Sequence, residues 1–397
     1  MNIISIRFNW RQSLLVFILI TLTPFALVGC DPSPADGRER SAETDRVGSE
    51  SLPAADYAPL AGEDWEISTP EEQGLDPELV EDLYRDAEDL DTLYSVLLVK
   101  NGVLVGEGYF NGAARDEKRL VQSATKSMMS ALVGVALEEG CLESIDQKMI
   151  EFFPEAADQV TDPRKREITI QQMLQMRSGY PDEETDPAFL EALYYGVYLP
   201  LIEDFPLVSP PGTAFHYSNL TYSWLAVILQ RACGTDLRDF SQEHLFGPLG
   251  AEVGDWLEDR EGNYVGSGGI HLTPREAAKF GQLFLDNGKY QDVQILPAAW
   301  VNESLKIYSQ KAKDYGWGFP FGPLDYGYGW WHANIRRHDV WFAWGHGGQL
   351  IVLLDDLDLV IVTTADPFFG QHDGNSWKHE KAAFELVGDF IRSLPEE

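Results

Sequence analysis

Apolar residues recur at helical spacing over residues 77–84, directly after Asp76, whose side-chain oxygen suits a helix N-cap. The period then changes. Residues 94–100 and 103–110 are β-rich runs on either side of Asn101 and Gly102, a pair that predicts a tight hairpin because both tolerate positive φ. Helical clusters of apolar residues follow at 128–137, 170–176 and 222–232, separated by Pro, Gly and Asp. Another helix is predicted over 274–286. Short β-like runs come next, at 330–331, 340–344, 350–354 and 359–364, and an amphipathic helix over about 381–394 closes the chain. Strands near both ends with helices between them predict an α+β fold. It is an α/β sandwich whose antiparallel sheet is formed by the N- and C-terminal parts, with an all-α subdomain inserted at about 127–260.

One apolar run fits no element of that body. Residues 14–20 follow Arg7 and Arg11, no charge occurs between Gln12 and Cys30, and Pro24 interrupts the run, so residues 1–29 read as an export signal. Leu27, Val28 and Gly29 before Cys30 resemble the bacterial lipoprotein processing box, in which the cysteine is lipidated and becomes the mature N-terminus. The resemblance implies a protein of the cell envelope, held to a membrane on its extracytoplasmic side. A plain signal peptide, or an uncleaved anchor with Cys30 incidental, stays open. Residues 30–64 are rich in Pro, Ser, Ala, Gly, Asp and Glu and predict a disordered acidic tether, which leaves the body at 65–397.

Charge narrows the partners. With 30 Lys+Arg against 64 Asp+Glu the net charge is −34, a surface that repels nucleic acid. Beyond Cys30 only Cys141 and Cys233 remain, each at the end of an apolar helical run. Buried free thiols are the expected reading, with a bridge as the alternative. No Cys–His spacing resembles a zinc site, and neither a metal nor a cofactor is expected.

Candidate chemistry begins at Ser123, three residues before Lys126 at the head of the 128–137 run. That spacing lets the amine reach the hydroxyl on one helix face, and a helix N-terminus offers N–H groups to an oxyanion. To act as base, Lys126 must be partly desolvated or lie near another cation. Alone, Ser-x-x-Lys is also a common accident. Two further segments add weight: a turn-rich loop ending in Tyr217 and Asn219, and His346-Gly347-Gly348-Gln349 ahead of an apolar run, read as an edge-type strand open to a substrate backbone. Tyr109 and Asn111 repeat the Tyr-x-Asn spacing but precede Ser123.

Ser-x-x-Lys, Tyr-x-Asn and His-Gly-Gly in that order resemble the serine beta-lactamase and penicillin-binding-protein superfamily, in its class C branch. Residues 168–179, opening on Ile168 and Thr169 and closing on Ser178 and Gly179, and the stretch from Gly268 and Gly269 into the 274–286 helix also look like family segments. The opening near Trp65 and the Trp-rich end resemble 6-aminohexanoate-dimer hydrolases and related esterases. The resemblance implies a beta-lactamase/transpeptidase-like fold and an acyl-enzyme hydrolase of small amides or esters. Ser123 would be the nucleophile, Lys126 its base and Tyr217 the proton relay to the leaving group. Asn219 would bond the lysine or the substrate amide, and the N–H groups of Ser123 and Gln349 would form the oxyanion hole. His346 stands where class C beta-lactamases carry a lysine for a substrate carboxylate, and an isolated histidine is largely uncharged at neutral pH. A D,D-carboxypeptidase or penicillin-recognising enzyme is the alternative within the superfamily, and a non-catalytic binding or sensor lipoprotein the alternative outside it.

Overall fold

The computed structural model describes residues 56–183, 199–372 and 374–395. The export segment, Cys30 and the tether up to residue 55 lie outside the described residues, as does most of the loop 180–200. Eight strands form one antiparallel sheet. They are β1 (Leu93–Lys100), β2 (Val103–Tyr109), β7 (Ser309–Lys313), β8 (Leu324–Tyr326), β9 (Trp331–Ile335), β10 (His338–Gly345), β11 (Gln349–Leu354) and β12 (Leu359–Ala365). Their order is β2-β1-β12-β11-β10-β9-β8-β7, so the N-terminal hairpin joins a C-terminal meander through the pairing of β1 with β12. Two small hairpins stand apart, β3 (Arg119–Leu120) with β4 (His271–Leu272) and β5 (Lys289–Tyr290) with β6 (Val293–Gln294). Asn101 and Gly102 take φ of 53° and 74° at the β1–β2 turn, as the hairpin dipeptide requires.

Helices cover both faces. α1 (Pro77–Glu88) starts where Asp76 accepts from the Glu78 N–H, a cap worth about 1 kcal/mol. It packs against β1 and against the C-terminal helix, α6 (Ser376–Ser393). On the other face lies α5 (Pro274–Leu285), closed at its start by a reciprocal cap between Thr273 and Glu276. A Cβ on Gly281 of α5 would come within 2.7 Å of Val360 and 2.9 Å of Ile351, so the helix rests directly on β11 and β12. Strand alternation sorts the core: Ile351 and Leu353 face α5, while Phe342, beside Phe384 of α6, lies on the opposite face. Between the two parts of the sheet in chain order come α2 (Thr125–Glu138), α3 (Ile170–Leu174) and α4 (Asn219–Cys233). Residues Thr125 to Ala136 of α2 are all buried, which makes it the central helix of the body.

Two expectations are corrected here. The tether does not extend to residue 64, because residues 57–64 are bound to the body. Tyr57 stacks on Tyr84 at 5.1 Å, and Arg275, 3% exposed, bonds both oxygens of Glu107 as well as Asp64 and the Leu60 carbonyl. A buried guanidinium needs such partners, and they lie too far away in sequence to be read from composition. Cys141 and Cys233, expected as free thiols, form a disulfide with Cα atoms 4.7 Å apart. Cys233 ends α4 and Cys141 lies just past α2, and these helices pack side by side.

Candidate active site

Ser123 sits on a single 3₁₀ turn, Gln122–Ala124, that runs into α2. Gln122 has φ of 51°, a left-handed conformation that is costly for a residue with a Cβ and sets a sharp bend before the serine. Lys126 is 1% exposed. Its Nζ donates to Ser123 Oγ at 2.8 Å and to the Ser267 carbonyl at 2.6 Å, so the desolvation that a lysine base requires is met. The Ser267 contact comes from the glycine-rich stretch ahead of α5, where Gly268 approaches the Gln122–Ser123 backbone.

The structure brings the second segment to the first. Tyr217 is buried, its ring centroid is 4.8 Å from Lys126 Nζ, and it stacks on Trp331 at 5.6 Å. Lys313 Nζ, ion-paired to Asp182 at 2.9 Å, lies 5.7 Å from the same centroid. Two ammonium groups beside one phenol favour negative charge on it during proton transfer. Asn219 opens α4 and is 7% exposed. Two other serines near the site are buried, Ser218 bonded to Glu183 and Ser267 beside Ser223.

The third segment departs from expectation. Residues 346–348 form the turn between β10 and β11, two interior strands, and not an edge strand. Gly347 and Gly348 have φ of 88° and 101°, so the turn itself demands glycine there. The residue pressed against the nucleophile's turn is Gly345, where a Cβ would lie 2.1 Å from the Val121 carbonyl oxygen. Gln349 pairs with Gly345, and its side-chain amide ties β11 to β12 by donating to Ala365 O and accepting from Ala365 N. His346 is half exposed, with Nδ1 2.7 Å from Glu380 Oε2 on α6. The other oxygen of that buried carboxylate accepts from Trp344 Nε1 at 2.6 Å. The imidazole is therefore not the isolated ring that the sequence suggests, because the Glu380 carboxylate engages it.

Sequence reasoning missed Glu183. It is 0% exposed and accepts from Ser218 Oγ (2.6 Å), Asn219 N (2.5 Å) and Leu220 N (3.2 Å) at the start of α4. Burial pushes its carboxyl up to about 7, opposed by those hydrogen bonds and by the charge of Lys126. The only trace in the sequence is an acidic run, Asp182 to Glu184, shortly after Ser178 and Gly179, and nothing distinguishes it from a solvated loop. Among the described residues no cluster of His, Cys, Asp or Glu is arranged to hold a metal ion, and no helix is long and apolar enough to cross a membrane.

The chain is similar to known proteins over most of its length. The beta-lactamase family model matches residues 94–383. The 6-aminohexanoate-dimer hydrolase of Paenarthrobacter ureafaciens is 26% identical over 282 residues, covering 67% of this chain and 70% of that protein. A D-aminopeptidase of Cereibacter sphaeroides is 25% identical over 64% of this chain and 51% of its own length, so the chain spans about half of that relative. A solved structure of a candidate 6-aminohexanoate-dimer hydrolase from Bacillus anthracis superposes with a TM-score of 0.61 at 22% identity, over 81% of this chain and 83% of that one.

Proposed function

The chain belongs to the beta-lactamase family of serine hydrolases, and on that premise we propose that it cleaves small amides or esters through an acyl-enzyme on Ser123. The observation that carries this is the buried Lys126 amine, 2.8 Å from Ser123 Oγ. In the neutral amine this contact reverses: Oγ–H donates to Nζ, while an amine N–H stays on the Ser267 carbonyl and orients the lone pair. As Oγ attacks the substrate carbonyl, its proton passes to Lys126. The oxyanion is met by the Ser123 N–H at the helix start and by an N–H of the hairpin 345–349, with Gln349 on its return arm. Tyr217, beside Lys126, hands a proton to the departing amine or alkoxide, and Asn219 holds the substrate amide. Water then releases the acid by the reverse route.

Engagement of His346 by Glu380 supports neutral amides and esters over substrates that need a cation at the third segment. Relatives named for amide cleavage, the dimer hydrolase and the D-aminopeptidase, favour amides. Mass spectrometry after fluorophosphonate treatment should place the adduct on Ser123. Ser123→Ala should abolish labelling and turnover, and Lys126→Ala should cost roughly three or more orders of magnitude in kcat/KM. An adduct on another serine defeats the assignment. Among short esters, linear amides, nitrocefin and D-Ala-D-Ala peptides, the neutral compounds should turn over best.

We further propose export and lipidation at Cys30. The basic and apolar segments before it support this, and the Cys141–Cys233 disulfide fits an oxidising compartment. Cys30→Ser should move the protein out of the membrane fraction or block its processing. Equal membrane retention of the variant counts against lipidation.

A further inference from the structure

We propose that Glu183 is a positioning residue of the active site, which locks Tyr217 and Asn219 in place through the start of α4 and supplies the countercharge for Lys126 when it takes the serine proton. The inference rests on the acyl-enzyme reading above. A carboxylate removed from water is expensive to keep ionised unless hydrogen bonds or a countercharge compensate it. Here the hydrogen-bond partners are one hydroxyl and two backbone N–H groups, all from Ser218 to Leu220, and none is a cation. The segment that Glu183 grips is the one that carries Tyr217 on one side and Asn219 on the other. Without the three bonds, the first turn of α4 would lose the acceptor for two of its N–H groups, and Tyr217 would lose its fixed station between Lys126 and Trp331.

The electrostatic half follows from the proton's path. Acylation turns a buried neutral amine into a buried ammonium, which a low-dielectric interior opposes. Lys126 and Glu183 flank the same two residues, with Lys126 Nζ 4.8 Å from the Tyr217 ring and Glu183 accepting from Ser218 Oγ, and the charge of Lys126 acts on the carboxyl as the carboxylate acts on the amine. An ionised Glu183 therefore stabilises the ammonium that forms as Ser123 Oγ becomes a nucleophile. Other titratable groups nearby are Tyr217 and His216 on the strand of chain before α4, and Asp182, which is already paired with Lys313 of β7.

The test is Glu183→Gln, which keeps the shape and an acceptor oxygen but removes the charge, compared with Glu183→Asp, which keeps the charge. Rates are expressed per active site titrated with fluorophosphonate, so misfolded protein does not enter the comparison. For the glutamine variant we expect kcat to fall about 10- to 100-fold with KM within roughly threefold of the parent. The acid limb of its kcat/KM–pH profile should move to lower pH, because the ammonium has lost its countercharge and Lys126 sheds its proton sooner. The aspartate variant should keep the parent's acid limb even where its kcat is reduced. A glutamine profile that superimposes on the parent's, or a loss of activity with no movement of the acid limb, overturns the proposal and leaves Glu183 a structural cap. If the parent protein takes no label on Ser123, the hydrolase reading itself fails, which is a separate result.

Discussion

At the scale of single residues, the site is a set of buried polar groups, and Glu183 is one whose burial bears on stability. An unfolded glutamate titrates near 4.5, whereas burial raises the folded carboxyl to about 7. Between those values the folded protein holds a proton that the unfolded chain has released. This group's contribution to stability is therefore complete below about 4.5 and is lost as the pH rises through 7. The loss amounts to roughly 3 kcal/mol. Urea denaturation at pH 5 and pH 8 should show a smaller decline for Glu183→Gln than for the parent, and equal declines would refute the assignment. Ser123, Lys126 and Tyr217, singled out as members of short motifs in a meaningful order, lie together in the structure. Glu183 and Glu380 were not legible, since an acidic side chain in an acidic chain gives no sign of being buried.

At the scale of elements, the hairpin at Asn101–Gly102, the central helix after Ser123, α5 and the three C-terminal core strands were all readable, because periodicity and turn chemistry are local properties. The strands β7 and β8 were missed. β7, with sequence SQKAK, is a polar strand at the sheet edge and lacks the β-branched or aromatic run that marks a core strand, and β8 has only three residues. The disulfide was read wrongly for a different reason: its partners are 92 residues apart and meet only because α2 and α4 pack together. Closing so long a loop constrains the unfolded chain and is worth about 4–5 kcal/mol. Dithiothreitol, or the paired change Cys141→Ala and Cys233→Ala, should lower the unfolding free energy by that order and the denaturation midpoint with it. A midpoint unmoved by either treatment would mean that the bridge adds no stability.

At the scale of the whole molecule, the net charge of −34 dominates. Self-repulsion among exposed carboxylates opposes the compact state, and salt shortens its range from about 30 Å at 0.01 M to about 3 Å at 1 M. Thermal midpoints should therefore rise as sodium chloride is increased through that range. A midpoint that falls would mean that ion pairs such as Lys118–Glu276 and Arg275–Glu107 outweigh the general repulsion.

By itself the sequence determined what local spacing controls: the alternation of helix and strand, the division of the sheet between the chain's two ends, and the order of the short motifs around Ser123, Tyr217 and His346. Tertiary structure decided what depends on groups distant in sequence. It turned His346 toward Glu380 on α6, bound residues 57–64 through Arg275, joined Cys141 to Cys233 and buried Glu183 under the start of α4. The physical reason is common to all four. Burial and partner choice are set by the fold, and the pairs involved are separated by 34 residues at His346 and Glu380 and by more elsewhere, beyond the reach of any periodic pattern.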